Sequence, residues 1–114
     1  MNKCIFCQII NKEIKANIVY EDENVIAFRD INPQAPIHIL IVPKKHISSV
    51  MFLDENDAQY IGYVYRACKE IAEKEKVSQT GFRIVVNTGP DAGQEVQHLH
   101  FHFLAGRKLN WPPG

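Results

Sequence analysis

The segment His98-Leu99-His100-Phe101-His102-Phe103-Leu104 packs three of the chain's five histidines into five consecutive positions. Strict alternation predicts a strand over residues 96–104, with three imidazoles on one face and large apolar groups on the other. A buried apolar face would hold that register, because a one-residue slip exposes every one of those groups. Core filling explains three clustered histidines poorly, which leaves two kinds of chemistry. Same-face residues on a strand lie ~6.5–7 Å apart, and His98 and His102 about twice that, so one ion cannot easily hold all three. Two adjacent imidazoles could share a metal with ligands from another strand, leaving the third for a separate task. Alternatively, one imidazole attacks phosphorus as a nucleophile while a neighbour of near-neutral pKa supplies the proton that a leaving group needs.

Upstream lies Gly89-Pro90-Asp91-Ala92-Gly93-Gln94-Glu95, a loop whose small residues let backbone N–H groups approach an anion. Alone it reads as a tight strand connection; beside the histidines it reads as a phosphate loop. Asn87 either offers its amide to a phosphoryl oxygen or holds this loop. At the other end of the chain, Cys4-Ile5-Phe6-Cys7 is a CxxC pair that is redox active, metal binding or incidental. His38 either orients a triad imidazole or is a satisfied core histidine.

These residues must be positioned by one modest domain. A chain of 114 residues, 46% of them hydrophobic, can bury one core, so residues 1–114 form a single domain. Thirteen basic residues balance thirteen acidic ones, so no long-range field favours nucleic acid or an anionic membrane. No apolar run approaches the ~18 residues of a membrane span and no export signal is evident; the expected setting is the cytoplasm. Three cysteines are too few and odd in number for a disulfide framework. Ile5, Phe6, Ile9 and Ile10 recur at helical spacing and predict a short helix ending near Asn11. Residues 18–20 and 25–29 flank the turn-like Glu21-Asp22-Glu23-Asn24 as a hairpin, and residues 37–42 form a third strand closed by Pro43. From Asp54, a plausible N-cap, the spacing predicts a long helix with Ile61, Val64, Tyr65, Cys68, Ile71 and Ala72 on its apolar stripe. Cys68 on that stripe is a small core residue. Residues 82–86 and 96–104 complete about five strands that do not alternate with helices, which predicts an α+β fold with a mainly antiparallel sheet, one long helix and one short one.

At this point the sequence resembles a known family. His98 to Leu104 fits the histidine triad (HIT) pattern of His, apolar, His, apolar, His, apolar, apolar. Further matches are Ala27-Phe28-Arg29-Asp30-Ile31-Asn32-Pro33-Gln34-Ala35-Pro36, His38, Pro43-Lys44-Lys45-His46-Ile47, Val86-Asn87, Gly93-Gln94 and the ending Trp111-Pro112-Pro113-Gly114. Together these resemble the nucleotide-binding phosphoramidase (Hint-like) branch over nearly the whole chain.

The resemblance implies a HIT-like fold and a homodimer joined through strands and helices, each subunit binding one purine nucleoside monophosphate, AMP or GMP. It implies that His100 is the nucleophile, that His102 donates to the phosphate and helps protonate a leaving amine, and that Asp30 binds ribose hydroxyls. Phe6, Ile9, Phe28 and Ile31 would form the base pocket, the first three reading equally well as ordinary core. Asn87 with Gly93, Gln94 and Glu95 would surround the phosphate. The reaction implied is hydrolysis of the P–N bond of a nucleoside phosphoramidate through a nucleotidyl-histidine, with no catalytic cofactor. Two readings compete with it: hydrolysis of dinucleoside polyphosphates, against which the Trp111 ending argues, and an AMP-binding adaptor without useful turnover. Glu95 stands where a serine is familiar in the family and Gln97 where an aromatic is common, so an acid at 95 either favours cationic leaving amines or points into solvent. Finally, Cys4 and Cys7 with His46 and His98 would complete a Cys2His2 set suited to a structural zinc, a site that some members of the family carry.

Overall fold

The computed structural model describes residues 4–114. Its elements are α1 (Ile5–Ile10), β1 (Ile18–Glu21), β2 (Val25–Arg29), β3 (Ile37–Pro43), a 3₁₀ turn (Val50–Phe52), α2 (Gln59–Lys74), β4 (Phe82–Val85) and β5 (Phe101–Ala105). All five strands join one sheet in the order β1-β2-β3-β5-β4, and every neighbouring pair is antiparallel. The α+β expectation is met, with a sheet that is antiparallel throughout.

The central strands carry apolar residues on both sides because both faces of the sheet are covered. On one face α2 packs Val64, Ala67, Cys68 and Ile71 against Ala27, Ile39, Ile41, Phe101 and Phe103. On the other, α1 lays Phe6 and Ile9 over Ile26, Phe28, Leu40 and Val42. Each Val, Ile, Leu or Phe among them, fully buried, contributes roughly 1.5–3 kcal/mol, so α2 is held more firmly than the six-residue α1. Arg29 adds an ion pair to Glu75 at the C-terminal end of α2, its Nη2 lying 2.9 and 3.0 Å from the two carboxylate oxygens, and Lys74 Nζ donates to the Val19 carbonyl.

Two boundaries and the buried stripe of α2 differ from the sequence expectations. Asp54 is not the cap of α2. Its carboxylate accepts from the N–H groups of Asn56 and Asp57 in a turn, and the helix starts at Gln59 after Ala58, which makes no side-chain cap bond. Asp57, buried and paired to Lys45, anchors that turn instead. On α2, Tyr65 is half exposed while Ala67, left off the expected stripe, is buried. The last strand is also shorter than residues 96–104. Regular pairing covers Phe101–Ala105, so His98, in a bend, and His100 precede it on a segment outside the ladder, held by Leu99 N–H donating to the Ile47 carbonyl at 2.6 Å. Among the described residues no helix is long and apolar enough to cross a membrane.

Candidate active site

The pairing of β3 with β5 sets the geometry of the site. Leu40 lies opposite His102 and His38 opposite Leu104, so these side chains share the face covered by α1, while Ile39, Phe101 and Phe103 point to α2. His100 is buried on the α1 face, its ring 5.2 Å from that of His102 and 5.0 Å from that of Phe6, edge to face.

Hydrogen bonds fix the proton positions of the imidazoles. His100 Nδ1 lies 2.7 Å from the His98 carbonyl oxygen. A carbonyl only accepts, so Nδ1 carries the proton and Nε2 keeps its lone pair. His98 Nε2 lies 2.8 Å from the Pro43 carbonyl and is likewise protonated, turning an unprotonated Nδ1 toward the cysteines. His38 Nδ1 accepts from the Gln34 N–H at 3.0 Å, so its proton sits on Nε2 and is donated to His102 Nδ1 at 2.9 Å. His102 in turn carries its proton on Nε2. His38, left open in the sequence, thus orients a triad imidazole.

Burial, the nearby His100 and the nearby His38 push the pKa of His102 down to about 4. Burial also holds His38 below its ordinary value, partly offset by Asp30. Both rings are neutral near pH 7, so the 3.4 Å approach of His38 Nε2 to Asp30 Oδ2 is a contact between a neutral N–H and a carboxylate. Asp30 Oδ1 accepts from Asn32 N–H at 2.8 Å, which aims the carboxylate.

Phe6, Ile9 and Phe28 are buried together, Phe6 and Phe28 edge to face at 5.6 Å. Ile31, grouped with them in the sequence reading, is fully exposed on the loop after β2. Asn87 is half-buried just beyond β4 and Glu95 is exposed. Gln94 has an unexpected task. Its amide oxygen accepts from Gly89 N–H, and its amide nitrogen donates to the Ser48 and Val96 carbonyls. The Gly93 and Gln94 N–H groups bond to Pro90 and Gly89 carbonyls within the loop. The Gln94 side chain therefore braces the loop and gives it a fixed shape.

A second cluster adjoins the histidines. Cys4, Cys7, His46 and His98 bring one donor atom each to within 4.8 Å of one another. Cys4 caps α1, with its sulfur accepting from Cys7 N–H. The sulfur to Nδ1 separations are 3.3 Å for Cys4 and His98, 3.3 Å for Cys7 and His46, and 3.6 Å for Cys7 and His98. A tetrahedral zinc with bonds of ~2.3 Å to sulfur and ~2.0 Å to nitrogen has sulfur–nitrogen edges of about 3.5 Å. Donor types, spacing and the second bond of His98 to a backbone carbonyl all fit such an ion.

Comparison with known proteins agrees with this geometry. The HIT domain family matches residues 11–109. A 14 kDa zinc-binding protein of Zea mays is 48% identical over 112 residues, covering 96% of this chain and 87% of its own. The crystal structure of a HIT family hydrolase from Legionella pneumophila superposes with a TM-score of 0.95 at 46% identity, covering 98% of this chain and all of the other. A histidine triad nucleotide-binding protein from Candida albicans gives a TM-score of 0.82 at 30% identity, over 96% and 83% of the two chains. The fold is that of the HIT hydrolases. The chain belongs to the HIT family.

Proposed function

We propose that this protein is a purine nucleoside phosphoramidase that hydrolyses the P–N bond of nucleoside 5'-phosphoramidates and releases a monophosphate such as AMP. The observation that carries this reading is the bond from His100 Nδ1 to the His98 carbonyl, which makes Nε2 of a buried imidazole an available nucleophile.

In this reading Phe6, Ile9 and Phe28 receive the base with Ile31 at the rim, Asp30 takes the ribose hydroxyls, and the phosphoryl group lies between His100, His102, Asn87 and the loop at Gly93-Gln94-Glu95. His100 Nε2 attacks phosphorus, the P–N bond breaks, and the amine leaves with a proton. The His98 carbonyl stabilises the positive charge that spreads onto the His100 ring. His102 is the donor. Its pKa is low in the protein alone, and an anionic phosphoryl group beside it favours its charged form; the second proton enters at Nδ1, which breaks the resting bond from His38 Nε2, and the ring then gives up its Nε2 proton. Having given up its Nε2 proton, His102 accepts one from the water that attacks the nucleotidyl-histidine. Positioning and electrostatics carry most of the rate.

Cys4, Cys7, His46 and His98 hold a structural zinc in this proposal, and such an ion would pin α1 to the ends of β3 and β5. The protein acts as a homodimer. Support comes from β4, which lies at the end of the sheet, and from the exposed Tyr65, Phe82 and Val86 near it, an apolar edge of the kind that a second copy covers. The test is hydrolysis of a fluorogenic adenosine phosphoramidate by wild type and by His100→Ala, with melting temperatures to confirm folding. Turnover by wild type alone supports the proposal. A folded wild type that binds AMP but leaves the substrate intact overturns it in favour of polyphosphate hydrolysis or an adaptor role.

A further inference from the structure

His98 belongs to two clusters at once. Its ring faces Cys4 and Cys7 through Nδ1, while its main-chain carbonyl holds the Nδ1 proton of His100. Phe6 makes a parallel link. It lies between the two cysteines in sequence and sets its ring edge to face on both His98, at 5.9 Å, and His100, at 5.0 Å. A six-residue helix is not stable alone in water. The position of α1 rests on the Phe6 and Ile9 contacts and on the two cysteines. Whatever changes the bonding of the sulfurs therefore reaches the nucleophile through one carbonyl and one ring. The cluster is open to such a change, since His46 is exposed and Cys7 only half-buried.

We propose that Cys4 and Cys7 are an oxidation-sensitive control point on the histidine triad, at which conversion of the two thiols to a disulfide withdraws His98 and Phe6 from His100 and lowers nucleotide affinity. The inference rests on His100 lying in the nucleotide site. The oxidant is a peroxide. One thiol attacks the peroxide O–O bond and becomes a sulfenic acid, releasing one water; the second thiol displaces the hydroxyl, releasing another, and the S–S bond forms. Two thiols and one hydrogen peroxide thus give one disulfide and two waters, the sulfurs losing two electrons in all. The sulfurs already lie within 4.8 Å, so little chain movement precedes bond formation. Once oxidised they no longer offer His98 and His46 thiolate partners, and a zinc ion held by the four residues is released.

The experiment treats zinc-loaded wild type with hydrogen peroxide and follows zinc release with a chromophoric chelator, thiol loss by titration and AMP affinity by calorimetry, before and after dithiothreitol with added zinc. Expected are loss of two thiols with one zinc, AMP affinity lowered three- to tenfold, and recovery of both zinc and affinity. His46→Asn, which removes an exposed ligand with no contact to His100, should weaken zinc binding and AMP binding together. The His100 Nδ1 proton resonance reports the coupling directly and should shift on oxidation whether or not the phosphoramidase reading survives. Loss of zinc and thiols with AMP affinity within twofold of wild type and an unmoved His100 resonance would overturn the proposal. So would a protein that takes up no zinc and forms no Cys4–Cys7 disulfide.

Discussion

The Nδ1 proton of His100 is held by the carbonyl oxygen of His98 at 2.7 Å, and this bond decides which nitrogen of the buried ring can react. A nucleophile set by a main-chain group makes a clear prediction. His100→Ala should lower turnover of an adenosine phosphoramidate by at least about 10³-fold while AMP affinity changes by less than about tenfold. Calorimetry with AMP alongside kinetics separates the two effects.

His38 should act through His102. Replacing it with phenylalanine removes the donor that keeps the His102 proton on Nε2 and aimed outward. Expected are a fall in kcat of about 10²-fold, a smaller change in KM and a displaced pH optimum. Equal loss in KM and kcat with an unchanged pH profile would mean that His38 is merely packing.

Acid should destabilise the protein through His102. Its folded-state pKa of about 4 lies below the 6.5 of an unperturbed imidazole, so between those values the unfolded chain binds the proton more readily. The stability it contributes is present above pH 6.5 and is lost as pH falls toward 4, by about 2 kcal/mol at pH 5. Urea unfolding at pH 7.5 and 5.0 should show a smaller loss in His102→Gln, and an equal loss in both proteins would remove His102 as the source.

Gln94 should be sensitive to charge. Gln94→Ala costs three hydrogen bonds of the loop, whereas Gln94→Glu keeps the one from Gly89 N–H but turns a charged acceptor toward the Ser48 and Val96 carbonyls. The glutamate variant should be the less stable of the two, by about 1–3 kcal/mol in thermal unfolding. It should also bind AMP more weakly.

Gly106 is required by its backbone. Its φ is +95° and an added Cβ would lie 2.8 Å from Pro36 Cβ, so Gly106→Ala should lower stability by about 1–3 kcal/mol. Because Pro36 ends the loop that starts at Asp30, AMP affinity should fall with it; an alanine variant that melts with wild type would refute the strain.

Much of this architecture is legible in the sequence where a local pattern answers to a local cause. Residues 25–29 form a strand as expected because β-branched and aromatic residues follow a turn, and Cys68 is buried because it lies on the apolar stripe of α2. The start of α2 is less legible, since Asp54 has the chemistry of a cap but spends it on a turn four residues early. The alternation from His98 to Leu104 predicts the shared face but not where pairing stops: the ladder ends with Ile41 opposite Phe101, although β3 itself runs on to Pro43, whose carbonyl meets the His98 side chain instead. The tasks of His38 and Gln94 depend on groups 64 and 46 residues away. Spacing along the chain carries no record of such distances.

The carbonyl that serves His100 belongs to the backbone, and any residue at position 98 would bring one. Only the imidazole at that position is tied to the cysteines. Evolutionary change should therefore come in a block. A lineage that loses Cys4 is released from keeping Cys7 and His46, yet it must still find another way to hold residue 98 in place. Covariation among these four positions across homologues, set against a separately constant His100, would be the historical trace of that dependence.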